Sequence, residues 1–426
     1  MINKHQELID FIKKDCLAQL TESDFLQSQE NEPAFRKKIE AMINVSLKHK
    51  GDSSLNAQER QMILAQVISD ITGLGPIEKM FHEPQVSEVM VNGPKQIYIE
   101  KDGRLELSNV TFRDEQHLEY FVEKILAPLG RHVTEAEPYI DARLPDGSRV
   151  NVVRHPISLI GTVLTIRKFS RKILTMEDLV ERKSLSQAAG EFLSACVRAR
   201  MNIIISGGSG AGKTTMLNVL SNFIPQDQRV VSIEDIAELQ LKGRHIVRME
   251  ARPANIEGKG EINIRKLLKN ALHMRPDRII VGEVRSSEIL DMLQAMTTGH
   301  EGSMATVHAN SALEALDRLE ILTLMDNPNF SSSVAKRHII SAIDIIAHMT
   351  RLPDGSRKVS QISEVSKENR NDFKLQDIFY AGDSNGFEMK FTGNIPLVYD
   401  RLNKQTGFSS EAFKSNIKYQ NDKSKF

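Results

Sequence analysis

One stretch constrains this chain more than any other: a glycine-rich loop, GGSGAGKTT (207–215), set between an apolar run and a helical stripe. The run MNIIIS (201–206) is β-branched and apolar, as a buried strand requires. After the loop, Met216, Val219, Leu220 and Phe223 recur at helical spacing until Pro225 stops them. The loop fits G-x-x-x-x-G-K-[ST] through Gly207, Gly212, Lys213 and Thr214. Glycine lets consecutive N–H groups turn inward onto phosphate oxygens, and the following helix adds the positive end of its dipole. An ammonium at Lys213 neutralises β- and γ-phosphate charge, and a hydroxyl at Thr214 ligates Mg²⁺. ATP is the ligand this pattern predicts, along Gly207, Gly208, Ser209, Gly210, Ala211, Gly212, Lys213, Thr214 and Thr215.

The surrounding block, 175–362, alternates strand and helix signals. Strands are expected at RVVSIE (229–234), RHIVRME (244–250), DRIIVGE (277–283) and GSMATVH (302–308), with amphipathic helices over 264–274 and 286–298. Such alternation implies an α/β fold with a helix-flanked sheet. Hydrolysis needs carboxylates beside the phosphates to orient water and help hold the metal. Glu234 with Asp235, and Glu283, each follow an apolar strand and are the candidates. His308 ends another strand and reads either as a hydrogen-bonded structural residue or as a γ-phosphate sensor. Arginines are the remaining need; Arg143, Arg149 and Arg167 lie ahead of the loop, and Arg244, Arg248, Arg252, Arg275 and Arg285 lie within the block.

Upstream, 1–70 reads as a helical region, with stripes at Leu8, Phe11, Ile12 and at Ile63, Leu64, Val67, Ile68, Ile71, and a connection over 48–56. A turn at Gly73, Gly75 and Pro76 opens a small α/β domain over 73–172. It holds a hairpin about Asp102-Gly103, a helix carrying Leu118, Phe121, Val122, Ile125 and Leu126, and a second hairpin about Pro145-Asp146-Gly147. The hexapeptide LPDGSR occurs at 144–149 and again at 352–357, a favourable turn used twice. Residues 363–426 are more polar and form a C-terminal extension in which FEMKFTG suggests one strand.

Composition excludes several classes. Lys+Arg and Asp+Glu are 56 each, so the basic excess typical of a nucleic-acid binder is missing and no direct nucleic-acid contact is expected. Two cysteines, Cys16 and Cys196, supply neither a zinc site nor a disulfide framework and fit a reducing compartment. The start lacks a signal-peptide apolar core, and no run of about 18 apolar residues marks a transmembrane segment.

Taken together, GGSGAGKTT, VVSIEDIAELQL and RPANIEGKGEINIRKLLKNALHMRPDRIIVGEVRSSEILDMLQAMTTGHEGSMATVHANS resemble the type II/IV secretion ATPase superfamily, and more closely its CpaF-like branch, which drives tight-adherence (Flp) pilus assembly. The resemblance implies a RecA-like P-loop NTPase core behind a PAS-like small domain. It makes IED (Glu234, Asp235) an acidic box, IIVGE an atypical Walker B with Glu283 in place of the usual Asp, and GHEGSMATVHAN a histidine box ending on His308. Arg149 and Arg167 resemble the small-domain arginines that reach nucleotide in this superfamily. It further implies a Mg²⁺-dependent ATPase acting as a homohexamer, cytoplasmic and peripheral at the inner membrane through pilus platform proteins. The absence of a cysteine-tetrad insertion favours the tight-adherence branch. Related traffic ATPases that export protein or DNA, and a nucleotide-bound scaffold without turnover, are the rival readings.

Overall fold

A computed structural model describes residues 6–20, 32–49, 55–72, 75–169, 174–252, 254, 259–382, 387–409 and 413. The turn glycine Gly73 and most of the 48–56 connection lie outside them. The chain forms two compact units, Met1–Ser170 and Arg171–Phe426.

The first unit begins with helices α1 (Gln6–Gln19), α2 (Glu32–His49) and α3 (Ala57–Thr72), which share one apolar core. The stripe on α1 is Leu8, Ile9, Ile12 and Cys16, while Phe11 stays 44% exposed. This corrects the expected face: positions 8, 9, 12 and 16 share a helical side, and 11 is turned off it. After the short α4 (Glu78–His82) come β1 (Val86–Asn92), β2 (Ile97–Lys101), β3 (Arg104–Leu107), α5 (Glu115–Leu126), β4 (Tyr139–Arg143), β5 (Arg149–Val153) and β6 (Val163–Arg167). They build a six-stranded sheet of order β3-β2-β1-β6-β5-β4, antiparallel throughout. The hairpin at Asp102-Gly103 forms with both residues at positive φ, as a two-residue loop requires. Its second strand, β3, is an edge with Leu105 and Leu107 exposed, so the alternation there does not bury a face. Helix α5 starts where Asp114 accepts a hydrogen bond from the His117 N–H at 2.8 Å, and it buries all five predicted apolar residues on the sheet.

The second unit contains α6 (Met176–Glu181), α7 (Gln187–Arg198), β7 (Ile203–Gly207), α8 (Lys213–Ser221), β8 (Val230–Glu234), β9 (Ile246–Glu250), α9 (Ile264–Leu272), β10 (Arg278–Val284), α10 (Glu288–Thr297), β11 (Met304–His308), α11 (Ala312–Asp326), α12 (Ser332–Ala342), β12 (Ile345–Arg351), β13 (Arg357–Val365), β14 (Leu375–Ala381), β15 (Met389–Phe391) and α13 (Tyr399–Thr406). Its nine-stranded sheet runs β15-β14-β13-β12-β7-β11-β10-β8-β9. The strands from β12 to β9 are parallel, and β13, β14 and β15 continue antiparallel. Separate apolar cores cover its two faces, the condition for a parallel sheet of continuous Ile and Val.

The boundary read at 362/363 falls inside β13, and the polar residues beyond it finish the same sheet. Buried Glu364 accepts the Leu397 and Val398 N–H groups at 2.7 and 2.9 Å ahead of α13. Phe379, Phe391, Phe408 and Phe413 close an aromatic cluster with Phe192 of α7. Each buried ring contributes about 1.5–3 kcal/mol. No helix among the described residues is long and apolar enough to cross a membrane.

Candidate active site

Strand β7 delivers the loop from a fully buried run, and its neighbours set the loop's surroundings. Gly207 pairs in register with His308 of β11 on one side and Met349 of β12 on the other. A Cβ on Gly207 would stand 2.5 Å from the Met349 carbonyl oxygen, so glycine is demanded here by close backbone approach. Gly210 and Gly212 take φ of +67° and +97°. Gly212 is the N-cap of α8 with no side-chain cap, leaving the first helical N–H groups to a ligand. The Lys213 ammonium lies over the loop, donating to the Gly207 and Gly208 carbonyls at 2.9 Å each. Backbone donors, a helix N-terminus and one cation are the groups that can bind a polyphosphate.

The acids come from the same edge of the sheet, at the ends of β8 and β10. Glu234 is buried; one carboxylate oxygen accepts the Glu238 and Leu239 N–H groups at 2.7 and 2.8 Å, and the other has no protein partner. Burial pushes its carboxyl up from the ordinary range. A Cβ on Gly282 would come within 3.1 Å of the Glu234 Cγ, so the backbone just before Glu283 packs closely on the Glu234 side chain. Glu283 is partly exposed and receives the Arg285 Nε at 2.8 Å; the same guanidinium reaches Asp235 at 3.2 Å. Arg285 therefore ties Glu283 to Asp235. Gly282 is held in turn by the Thr306 hydroxyl on β11, 2.6 Å from its carbonyl.

His308 is exposed at the tip of β11, lining an open pocket with Asn310, Glu314 and Arg318. In the first unit, Arg149 faces Arg143 across β4–β5 and Arg167 across β5–β6, so three arginines stand in one row. Arg149 also pairs with Asp141.

Sequence reasoning missed three side chains against the loop strand. Buried His348 on β12 meets the Ser206 hydroxyl at 2.9 Å, one residue before the loop. Arg351 and Arg357, at the two ends of the β12–β13 turn, approach Gly210 and Gly212. The repeat of LPDGSR was the available signal for the arginines; nothing local marks His348. Burial lowers the His348 pKa from its ordinary 6.5, so the folded chain holds the ring neutral. The unfolded chain binds the extra proton, and stability falls as pH drops below about 6.5. His348→Gln should flatten that acid limb in urea titrations run between pH 5 and 8; an unchanged limb excludes this ring as its source.

The sequence model of the family described as Type II/IV secretion system protein matches residues 70–383. The chain belongs to this family. Among secretion-family relatives, Rv3659c of Mycobacterium tuberculosis (strain H37Rv), named for conjugal transfer, is 32% identical over 301 residues, covering 69% of this chain and 85% of that protein. Conjugal transfer protein TrbB of Rhizobium radiobacter is 31% identical over 295 residues, 68% of this chain and 87% of its own length. Type IV secretion system protein VirB11 of Brucella suis is 29% identical over 320 residues, 68% and 88% respectively. The solved Yersinia pseudotuberculosis ATPase DotB superposes with a TM-score of 0.52 at 18% identity over 69% of this chain and 79% of that one, a likeness of fold. The family-level fold is thus the expected one, an α/β P-loop core preceded by a smaller sheet unit.

Proposed function

We propose that this secretion-family chain is a Mg²⁺-dependent ATPase, working as a homohexamer at the cytoplasmic side of the inner membrane to drive tight-adherence pilus assembly. The observation that carries the hydrolytic reading is that the Lys213 loop and the Glu283–Arg285–Asp235 group both lie at the C-terminal ends of parallel strands of one sheet. The loop amides and the α8 N-terminus hold the phosphates, and Lys213 balances their charge. The described residues contain no cluster of three or more His, Cys, Asp or Glu able to hold a metal. Mg²⁺ is usually held by few protein groups together with substrate phosphates; Thr214 would be its ligand. When bound, the ion neutralises charge on the phosphate oxygens.

The two strand-end carboxylates differ in what they can do. Glu234 already accepts two backbone N–H groups in a buried site, so it shapes the 234–239 turn. Glu283 is partly open to solvent, and Arg285 holds it in one orientation. Glu283 therefore orients the water that attacks the γ-phosphorus, while the bond to the β–γ bridging oxygen breaks and ADP leaves with that electron pair. His308, next to the loop in register, senses the terminal phosphate. Arg149 and Arg167, from the small unit of the same or a neighbouring subunit, add the positive charge that phosphoryl transfer gains from. Nucleotide that binds one conformation of the chain more tightly shifts the population toward it by its differential affinity, and that change is the work delivered to the platform.

Relatives named for conjugal transfer and type IV secretion favour a second reading, a traffic ATPase exporting protein or DNA. The equal numbers of basic and acidic residues weigh against DNA handling by the chain itself. A deletion strain separates the two. Loss of surface pili, restored by the wild-type chain, is expected; intact pili with lost cargo export would replace the pilus reading by the second.

A further inference from the structure

We propose that Arg357 is a positioning residue of the phosphate loop, acting from the β12–β13 hairpin of the same subunit with Arg351 beside it. The inference rests on the reading that the loop holds nucleotide phosphate.

The repeated segment is longer than the hexapeptide: RLPDGSR stands at 143–149 and at 351–357. Both copies make one turn. The leucine N–H donates to the serine carbonyl at 2.8 Å in each, and the glycine N–H to the leucine carbonyl at 2.9 Å in each. The aspartate carboxylate takes the serine N–H at 3.0 and 2.9 Å, and Gly147 and Gly355 have φ of +93° and +85°. This accounts for Leu, Pro, Asp, Gly and Ser. It does not account for the flanking arginines, which the register sets opposite each other as Arg143 with Arg149 and Arg351 with Arg357.

In the second copy those arginines lie on the loop. Arg357 Nε donates to the Gly210 carbonyl at 2.9 Å. A Cβ on Gly210 would stand 3.3 Å from Arg351 Nη1, and one on Gly212 would stand 3.3 Å from Arg357 Cδ. The hairpin is anchored, because β12 pairs with β7 along its whole length up to Met349 opposite Gly207. In a trans peptide the carbonyl and the next N–H point opposite ways. Holding the Gly210 oxygen outward therefore aims the Ala211 N–H into the loop, where its protein contact is a long 3.4 Å approach to the Gly208 carbonyl. A phosphate oxygen is a better acceptor, and a cationic donor on the far side polarises the peptide toward it. Arg357 thus prepares one loop amide for phosphate without touching nucleotide.

The test is equilibrium binding of a fluorescent ADP analogue to the full chain. Arg357→Met keeps the stem beside Gly212 and loses the donor; Kd should rise about tenfold, one charge-assisted hydrogen bond. Arg357→Gln places an amide N–H at the same atom and should recover Kd to within about threefold, since a neutral donor is weaker than a charged one. Melting temperatures without nucleotide should agree within about 2 °C, the shift that roughly 1 kcal/mol produces in a unit of this size. If the methionine variant fails to fold, Arg357→Lys, which puts carbon at that atom, takes its place with the same expected loss. Wild-type affinity in the donor-less variant, no recovery in the glutamine variant, or a loss that tracks a lower melting temperature each overturns the proposal. A wild-type chain that binds no nucleotide overturns the ATPase reading; bound wild type with an indifferent Arg357→Met overturns this inference alone.

Discussion

Lys213→Ala should reduce kcat/KM for ATP by about a thousandfold or more, the scale of a lost preorganised charge in a phosphoryl-transfer site. The ammonium now rests on the Gly207 and Gly208 carbonyls. Those carbonyls lie inside the loop, so the cation is held where phosphate oxygens would sit beside it. Removing it leaves the α8 N-terminus, worth roughly 1 kcal/mol, and the hairpin arginines, of which Arg357 is already engaged by the Gly210 carbonyl. Stability should change little, because Lys213 is only partly buried and lies outside the apolar cores. Steady-state phosphate release and thermal melting on the same preparation decide it. Turnover near wild type in a folded Lys213→Ala chain would remove this loop from the chemistry.

Glu283→Gln should lower kcat by at least about a hundredfold while nucleotide affinity stays within about twofold, the signature of a group that acts on the attacking water. Glutamine keeps the shape and one acceptor oxygen but loses the charge that Arg285 grips and that draws the proton of the attacking water. Glu234→Gln provides the contrast. An amide oxygen can still take the Glu238 and Leu239 N–H groups, so kcat should remain within about tenfold. Single-turnover phosphate release and analogue binding, run side by side, separate the outcomes. A reversed order, with Glu234→Gln the dead variant, would pass the water-orienting role to Glu234.

Local features carried most of the second unit. Each predicted parallel strand is present to within two residues, because a buried parallel strand is a short apolar run that periodicity detects directly. The phosphate loop was legible for the same reason: strand, loop and helix are contiguous, and the glycines state their own conformational need. The acids were legible as residues but not as roles. Only packing shows that Glu234 folds back onto backbone amides while Glu283 meets Arg285, a partner two residues on that resembled any surface arginine.

Of the strands beyond β11, only β15 (Met389–Phe391), within FEMKFTG, was legible. Strands β13 and β14 mix polar with apolar residues and pair antiparallel beyond the parallel strands, and the apolar partner of Phe379, Phe192, is far away in sequence. His348, Arg351 and Arg357 meet the loop only because β12 lies alongside β7, a pairing between residues about 140 apart that no window of sequence contains.

Sequence alone thus determined the glycine-rich cradle, its lysine and the strand-end carboxylates, since these depend on neighbours along the chain. Tertiary structure alone decided which carboxylate is open to water and which arginines brace the loop. Strand order and register bring distant backbone within hydrogen-bonding reach, and that proximity has no counterpart in the linear order of residues.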